Sequence, residues 1–429
     1  MRRFAWLLLL LPACGTPCPT DPLAPLAEPG WVLRMNEAPD VTPPTGTPGL
    51  ETYVDPPGLD TYAAFAVYDG AGNLANERWL DTYTVLEGVA ATVNAATALP
   101  SRLAPGALTV LLADGTRPAL TFDPTTGNRS LELASYASAP SVAGQLVDLS
   151  PLDDGRAVVT RRRGEGGVGG DVLVVDTIAD RGVLETFSLA GLSSGPVEPG
   201  AIARLGATAV DPRVVIGLAL IDEPSAGAVA VVNPDTGDVV RYDVPGLSWC
   251  GEAVALAPSD VGAGRVGVLC SGDLTRPPEE RSGVGLALLE AAPDGPVALV
   301  AGRTASTLFS NRLPTYGLVA LAGTWVAAVS GGDPEVGRPD ALLAVDLGSD
   351  AATVLVEEVW TDLYGAPLGQ GDFRGTELWW PSARGAVYRF SMTGTDAAAT
   401  FAALDPAPLP SCSRLPAREV RAIPALPTP

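Results

Sequence analysis

Three glycines with the spacing of a nucleotide-binding loop follow a short apolar run. Gly164, Gly166 and Gly169 have the G-x-G-x-x-G spacing, and Glu185 lies about 20 residues further on, where that fingerprint places a ribose ligand. The fingerprint requires a helix after the glycines, because the pyrophosphate binds the free N–H groups of a helix N-terminus. Here residues 171–176, DVLVVD, form a β-branched run typical of a strand. The glycines are therefore interpreted as a hairpin loop rather than a nucleotide site.

The residue types that are missing restrict the chemistry further. The chain has no histidine and no lysine, so all 27 basic residues are arginine. Without histidine there is no Ser-His or Cys-His nucleophile pair and no His-ligated metal, and without lysine there is no Schiff base and no P-loop. The 49 acidic residues give a net charge of −22, which argues against nucleic acid as a partner. An enzyme would have to use carboxylates, tyrosine, arginine or backbone groups.

Charged residues in three loops are the candidates for a ligand site. The run 161–163 could hold an anion with forked guanidinium groups, although neighbouring strand residues face opposite ways. Asp273 with the pair at 279–280, or Asp333 with Glu335 and Asp340, could bind Ca²⁺ through oxygen ligands, but neither set matches a defined calcium loop. The alternative is that these loops are simply solvated. The candidate residues are Arg161, Arg163, Glu165, Asp273, Glu279, Glu280, Asp333 and Glu335, and none is assigned a catalytic role.

Two adjacent aromatic residues offer another kind of surface. Trp379 and Trp380 could stack on a sugar. Because adjacent strand residues face opposite ways, at least one of the two indoles is expected in the core.

The N-terminus has the features of a secretory signal. Arg2 and Arg3 precede the apolar run 4–11, which is too short to cross a bilayer. The residues that follow, LPAC at 11–14, resemble the lipobox of bacterial lipoproteins. The resemblance implies cleavage after residue 13, acylation of Cys14, and a protein anchored in the bacterial envelope, at the outer membrane or in the periplasm. The alternative is an ordinary cleaved signal that leaves Cys14 as a disulfide partner.

Proline and cysteine indicate how the rest is organised. Residues 14–60 and 405–429 are rich in proline and are predicted to be a spacer and a tail around a domain at 61–404. Cysteines of an exported chain are expected to be oxidised. Cys250 and Cys270 flank two strand-like runs that would bring them face to face if they pair, and Cys18 and Cys412 could join the two flanking segments.

A divergent repeat predicts the architecture of that domain. An apolar strand that ends in a short polar residue, followed by a turn and a second strand, occurs seven times, with the closing residues 45 to 57 positions apart. Two more strand-like runs precede most copies, so each unit contains four short antiparallel strands. We predict an all-β fold, a seven-bladed β-propeller of four-stranded antiparallel blades, with six or eight blades as alternatives. The closing residues are Asp69, Asp123, Asp176, Asn233, Glu290, Asp346 and Ser391.

Two of the turns also suggest a family resemblance. The hairpins NPDTGDVVRYDV and DPTTGNRSLEL resemble YVTN-type and quinoprotein-like propeller repeats, which implies a propeller but no particular activity. The first unit departs from the pattern, since residues 31–35 are its only candidate inner strand. We expect a binding or scaffolding module whose partners are the membrane, through its lipid, and an envelope protein or polysaccharide. The alternative is an exported carboxylate-dependent hydrolase or lyase, with calcium as its only candidate cofactor.

Overall fold

A computed structural model of the protein describes a chain built from β-strands. The described residues are 30–37, 62–81, 93–98, 108–112, 119–122, 131–134, 146–152, 154–162, 170–177, 182–205, 211–259, 262–273, 281–292, 295–304, 314–332, 337–349, 351–359, 368–405, 407–410 and 417–423. No helix in this part of the chain has the length and apolar composition needed to cross a membrane. The prediction of an all-β fold is confirmed.

The strands follow one another in antiparallel groups along the chain. Sheet 1 contains β1 (Trp31–Glu37), β2 (Tyr62–Tyr68) and β3 (Leu74–Asp81). Sheet 2 contains β4 (Val93–Ala98), β5 (Leu108–Leu112), β6 (Ala119–Phe122) and β7 (Leu131–Ala134). Sheet 3 contains β8 (Leu146–Pro151), β9 (Arg156–Arg161), β10 (Asp171–Asp176) and β11 (Val183–Ser188). Sheet 4 contains β12 (Val197–Arg204), β13 (Val214–Leu220), β14 (Ala228–Asn233) and β15 (Asp238–Asp243).

The second half of the chain repeats the arrangement. Sheet 5 contains β16 (Glu252–Leu256), β17 (Gly264–Ser271), β18 (Val284–Ala291) and β19 (Val297–Thr304). Sheet 6 contains β20 (Pro314–Ala320), β21 (Trp325–Ser330), β22 (Asp340–Asp346) and β23 (Ala352–Glu358). Sheet 7 contains β24 (Asp372–Arg374), β25 (Glu377–Ser382), β26 (Ala386–Thr393), β27 (Thr400–Ala403) and β28 (Leu409–Pro410).

Sheet 7 has a fifth strand because its outer strand is interrupted. β27 pairs with Phe390–Thr393 of β26, and β28 pairs with the Ala386–Val387 end of the same strand. The two short strands therefore lie end to end along one edge of β26. Each described sheet thus keeps four strand positions, as predicted.

The first position of sheet 1 is filled from the far end of the chain. β29 (Ala417–Ala422) pairs with β1 on the edge opposite β2, so the sheet order is β29-β1-β2-β3. Trp31–Glu37, the candidate inner strand of the first unit, is consequently the second strand of its sheet, and the first strand comes from the far end of the chain. The predicted spacer (14–60) and tail (405–429) each contain one strand of sheet 1. This finding corrects the predicted domain boundaries at residues 61 and 404.

Packing between sheets explains the apolar runs in the sequence. Neighbouring sheets cover both faces of the second and third strands, so β10, β14, β21 and β22 are buried along almost their whole length. Strands covered on both faces read as continuous apolar runs rather than as alternating ones. Trp379 and Trp380 are both fully buried, in different core clusters, so neither forms the sugar-stacking surface considered above.

Two of the short polar residues that close the third strands, Asp69 and Asn233, form hydrogen bonds with the turn that follows. Asp69 accepts hydrogen bonds from the N–H groups of Ala71 (3.0 Å) and Asn73 (2.8 Å), and Asn233 accepts one from Asp235 N–H at 3.0 Å. Such contacts between side chain and backbone form a tight turn. At these two positions, therefore, the polar residue that recurs in the sequence forms the turn that follows the strand.

Candidate binding face

The strand order gives the domain two different ends. We call the end where the second strand connects to the third, and where one sheet leads to the next, the loop face; its described residues include 221–227, 272–273, 281–283, 331–332, 337–339 and 383–385. The opposite end is the turn face, with residues 69–73, 233–238, 346–349 and 394–399. The glycine-rich stretch discussed first connects β9 to the antiparallel β10 on the loop face. No helix follows it, so the hairpin interpretation is confirmed.

Most of the predicted binding residues lie outside the described residues. This applies to Arg163, Glu165, Glu279, Glu280, Asp333 and Glu335, and equally to Cys14, Cys18 and Cys412. Asp273 is described and is largely buried. Among the described residues, no three Asp, Glu or Cys side chains are grouped so that they could hold a metal ion.

Arg161 is buried rather than displayed on the loop face, which corrects its predicted role. Its side chain is 1% exposed, and its Nε and Nη2 atoms donate to Oδ1 (2.8 Å) and Oδ2 (2.5 Å) of Asp171. The two residues face each other across β9 and β10, at the base of the glycine-rich loop. Arg162 has its side chain 49% exposed and is the described residue of this run that solvent can reach.

The same strand position carries an aspartate in sheet 6. Asp340 begins β22 as Asp171 begins β10, and it is fully buried. The Tyr316 hydroxyl donates to its Oδ2 at 2.5 Å, and the N–H of Gly332 donates to its Oδ1 at 2.6 Å. Burial is the main reason that the pKa of Tyr316 lies above its usual value, and the neighbouring Asp340 raises it further. A buried carboxylate therefore fixes the base of this loop too, with different donors.

A disulfide and a left-handed residue fix another corner of the loop face. Cys250 is bonded to Cys270, as the spacing predicted. The preceding residue, Trp249, has φ of 52°, an unusual conformation for a bulky residue and one that carries strain. Its carbonyl accepts from the N–H of Ser271 at 3.0 Å. The carbonyl of Ser248 accepts from the N–H of Gly272 (3.0 Å), and the N–H of Ser248 donates to the carbonyl of Gly283 (2.9 Å). The connection into sheet 5 is thus bonded to the loop between β17 and β18, with a half-buried tryptophan at the corner.

A glutamate in sheet 4 joins three segments of the same face. Glu223 accepts hydrogen bonds from the Ser193 hydroxyl at 2.5 Å and from Arg241 Nη2 at 3.1 Å, and its loop joins β13 to β14. The Ser193 bond, followed by that from Arg241, lowers the pKa of Glu223 to about 2. Arg241 also donates to the carbonyl of Leu192 at 2.7 Å. These contacts hold the loop, the connection between sheets 3 and 4, and β15 together.

Carboxylates also recur where the innermost strands meet. The innermost strands contact one another in the order β4, β8, β12, β16, β20, β24 and β29. Asp148 on β8 accepts from the N–H of Ile202 on β12 at 2.8 Å, and Asp372 on β24 accepts from that of Ala422 on β29 at 2.9 Å. Glu252 on β16 accepts from two N–H groups of β20, at residues 317 (3.0 Å) and 318 (2.6 Å). In three of these contacts, therefore, a carboxylate accepts hydrogen bonds from backbone N–H groups at the edge of the next inner strand.

The position of these three carboxylates changes their acidity. Burial raises the pKa of Asp148 to about 6 and also raises the pKa values of Glu252 and Asp372. Arg421 on β29 lowers the pKa of Asp148 and Asp372 in part, and Glu419 acts in the opposite direction. We call Asp148, Glu252 and Asp372 the axial carboxylates. None of the three was among the predicted site residues, although an acid within an apolar inner strand, as in LVDLSP, is a signal that could have identified them.

Comparison with solved structures assigns the fold, and these sheets define a β-propeller. The chain is similar to the WD40 repeats of RRP9, with a TM-score of 0.50 and 11% identity over 75% of this chain and 82% of that one. It also matches the apocarotenoid oxygenase of Synechocystis (TM-score 0.47, 13% identity, 92% of each chain). A third match is the propeller domain of Myceliophteria thermophila Cps50 (TM-score 0.46, 10% identity, 75% of this chain and 89% of that one).

The likeness concerns the fold alone. At 11% identity the RRP9 match carries no information about ligand or partner. The other two matches have TM-scores below 0.5 and support no conclusion about this chain. No family model matches the sequence, and no curated protein is similar to it at a significant level. Its function therefore has to be argued from its own residues.

Proposed function

We propose that this protein is an exported, lipid-anchored, seven-bladed propeller that acts as a binding or scaffolding module in the bacterial envelope. The signal-like N-terminus and the lipobox-like LPAC sequence support export and acylation of Cys14. The seven turn repeats and the contacts between successive inner strands support the blade count. The propeller fold supports a binding or scaffolding role.

The observation that carries the proposal is the set of contacts that connects the described residues of the loop face to one another. The Arg161–Asp171 pair joins the ends of β9 and β10, and the Glu223 cluster and the Cys250–Cys270 corner each hold one described loop or connection against its neighbours. Binding surfaces are commonly loops held on a rigid scaffold, because pre-ordered loops lose less conformational entropy on binding. The partner is an envelope protein or polysaccharide, bound at this face.

The alternative function, a carboxylate-dependent hydrolase or lyase, would use acids of the same face, with Ca²⁺ as its cofactor. Asp148 is the described carboxylate whose pKa of about 6 suits acid–base catalysis. Both Asp148 and Glu252 already accept backbone N–H groups, which favours a bracing role for them.

Photo-cross-linking in intact envelopes tests where the partner binds. A photoreactive amino acid replaces Ser225 or Arg338, which are exposed on the loop face, or Thr236 or Ala398, which are exposed on the turn face. We expect partner adducts from the first pair at several-fold higher yield than from the second. Equal yields, or adducts from the turn face alone, would contradict the assignment. Cys14→Ser should move the protein out of the membrane fraction, and unchanged partitioning would contradict the lipid anchor.

A further inference from the structure

The two ends of the propeller meet at one point of the turn face. Gly30, which precedes β1, packs against the start of the Asp69 turn so closely that a Cβ there would lie 1.9 Å from the carbonyl oxygen of Tyr68. The N–H of Ile423, after β29, donates to the carbonyl of Gly30 at 2.9 Å. Arg374 Nη1 donates to the carbonyls of both Gly30 (2.9 Å) and Ile423 (3.1 Å). The point where the N-terminal segment enters the propeller is therefore fixed on the turn face.

From this we infer that the anchored propeller holds its turn face toward the membrane and its loop face away from it. The inference rests on the proposed acylation of Cys14, which places the membrane at the far end of residues 15–29. The binding face is then presented to a partner that approaches from the side opposite the anchoring membrane.

The length of the spacer favours this orientation over the inverted one. Residues 15–29 can reach at most about 50 Å at 3.1 to 3.6 Å per residue. To bring the loop face to the membrane, the spacer would have to pass over the edge of a domain with a radius of gyration of about 20 Å and then along strands about 20 Å long. That path would use about 40 Å of the spacer's reach of about 50 Å. The inverted orientation would therefore require the spacer to bend back along the domain, whereas in the orientation inferred here it can run directly from the turn face to the membrane.

Charge on the turn face indicates that this face does not rest on the bilayer. Asp235, Asp238 and Asp396 are exposed there, as is Asp154, and Arg156 neutralises only part of this charge through contacts with Asp154 (2.5 Å) and Asp235 (2.6 Å). An anionic membrane surface repels acidic groups within a Debye length, about 10 Å at 0.1 M salt. The turn face is thus directed toward the membrane but held off it.

Energy transfer to the bilayer tests the orientation. The full-length acylated protein, in vesicles of mixed zwitterionic and anionic phospholipids with an acceptor dye on the headgroups, carries a fluorescent amino acid at one position. The donor replaces Thr236 or Ala398 on the turn face, or Ser225 or Arg338 on the loop face. We expect several-fold higher transfer efficiency from the first pair. Equal transfer, or higher transfer from the loop face, in protein that is bound to the vesicles would overturn the orientation while leaving the anchor intact.

The Cys14→Ser variant separates the two proposals. We expect it to leave the vesicles, so that transfer is lost at all four positions. If it stays bound, residues other than the lipid hold the protein on the membrane, and the anchor and the orientation are both wrong.

Discussion

Arg161 and Arg162 are neighbours in the sequence but lie in opposite environments. One is buried in an ion pair with Asp171, and the other has half of its side chain in solvent. The sequence alone identified a run of three arginines and could not show which of them had a buried acid across the sheet. The disulfide between Cys250 and Cys270 could be predicted because it needs only a pair of adjacent strands. The left-handed Trp249 could not, because nothing in its residue type indicates a positive φ.

The two arginines form a matched pair for a stability measurement. Arg161→Ala leaves Asp171 buried without its counter-charge, so we expect the free energy of unfolding to fall by about 3–5 kcal/mol. Arg162→Ala removes an exposed charge 3.9 Å from Glu198 and should change it by no more than about 1 kcal/mol. Denaturant unfolding followed by tryptophan fluorescence gives both values. Similar losses in the two variants would show that the buried pair does not stabilise the fold.

Among the strands, the third of each sheet was the easiest to predict. Its apolar run and polar closing residue are both local features, as in the AVAVVN strand that ends at Asn233. The first strand of sheet 1, β29, could not be predicted in the same way, because it comes from the far end of the chain. Arg34 and Glu419, 385 positions apart, form an ion pair at 2.9 Å. No local pattern contains that pairing.

Removal of the closing strand should therefore affect the whole domain. Deletion of residues 417–429 removes buried Val420, whose N–H donates to the Gln370 carbonyl at 3.0 Å, and exposes an edge of β1. Because neighbouring sheets stabilise one another, we expect the single cooperative unfolding transition to be lost or strongly broadened. Deletion of residues 424–429 keeps every described contact of β29 and serves as the control. Differential scanning calorimetry compares the two, and identical transitions would contradict a closing role for β29.

Over the whole molecule, the axial carboxylates link stability to pH. The folded state binds a proton on Asp148 more tightly than the unfolded state does, because its pKa is raised to about 6. The stability that this group contributes is fully present below its unfolded pKa of about 3.9 and is lost as the pH rises through about 6. Glu252 and Asp372 act in the same direction.

Replacement of the half-buried Asp148 carboxylate should reveal this linkage. Asp148→Asn keeps an oxygen that can accept from Ile202 N–H, so we expect it to be more stable than the native protein at pH 8 by about 1–3 kcal/mol. The advantage should shrink below pH 6 and vanish near pH 4. Glu223→Gln is the control with the opposite sign, since the pKa of Glu223 is lowered to about 2 and its stabilising effect is present at neutral pH. Melting temperatures measured from pH 4 to pH 8 test both variants, and a pH-independent effect of Asp148→Asn would rule out the proposed linkage.

The position of β29 also determines when the domain can be completed during biosynthesis. The ribosome makes residues 417–422 after every other described strand, yet they fill the first position of the first sheet. One edge of β1 in sheet 1 therefore has no partner strand until residues 417–422 have been synthesised. A chain stopped at any earlier stage lacks the strand that joins its two ends, and the last described strand to be synthesised is the one that completes sheet 1.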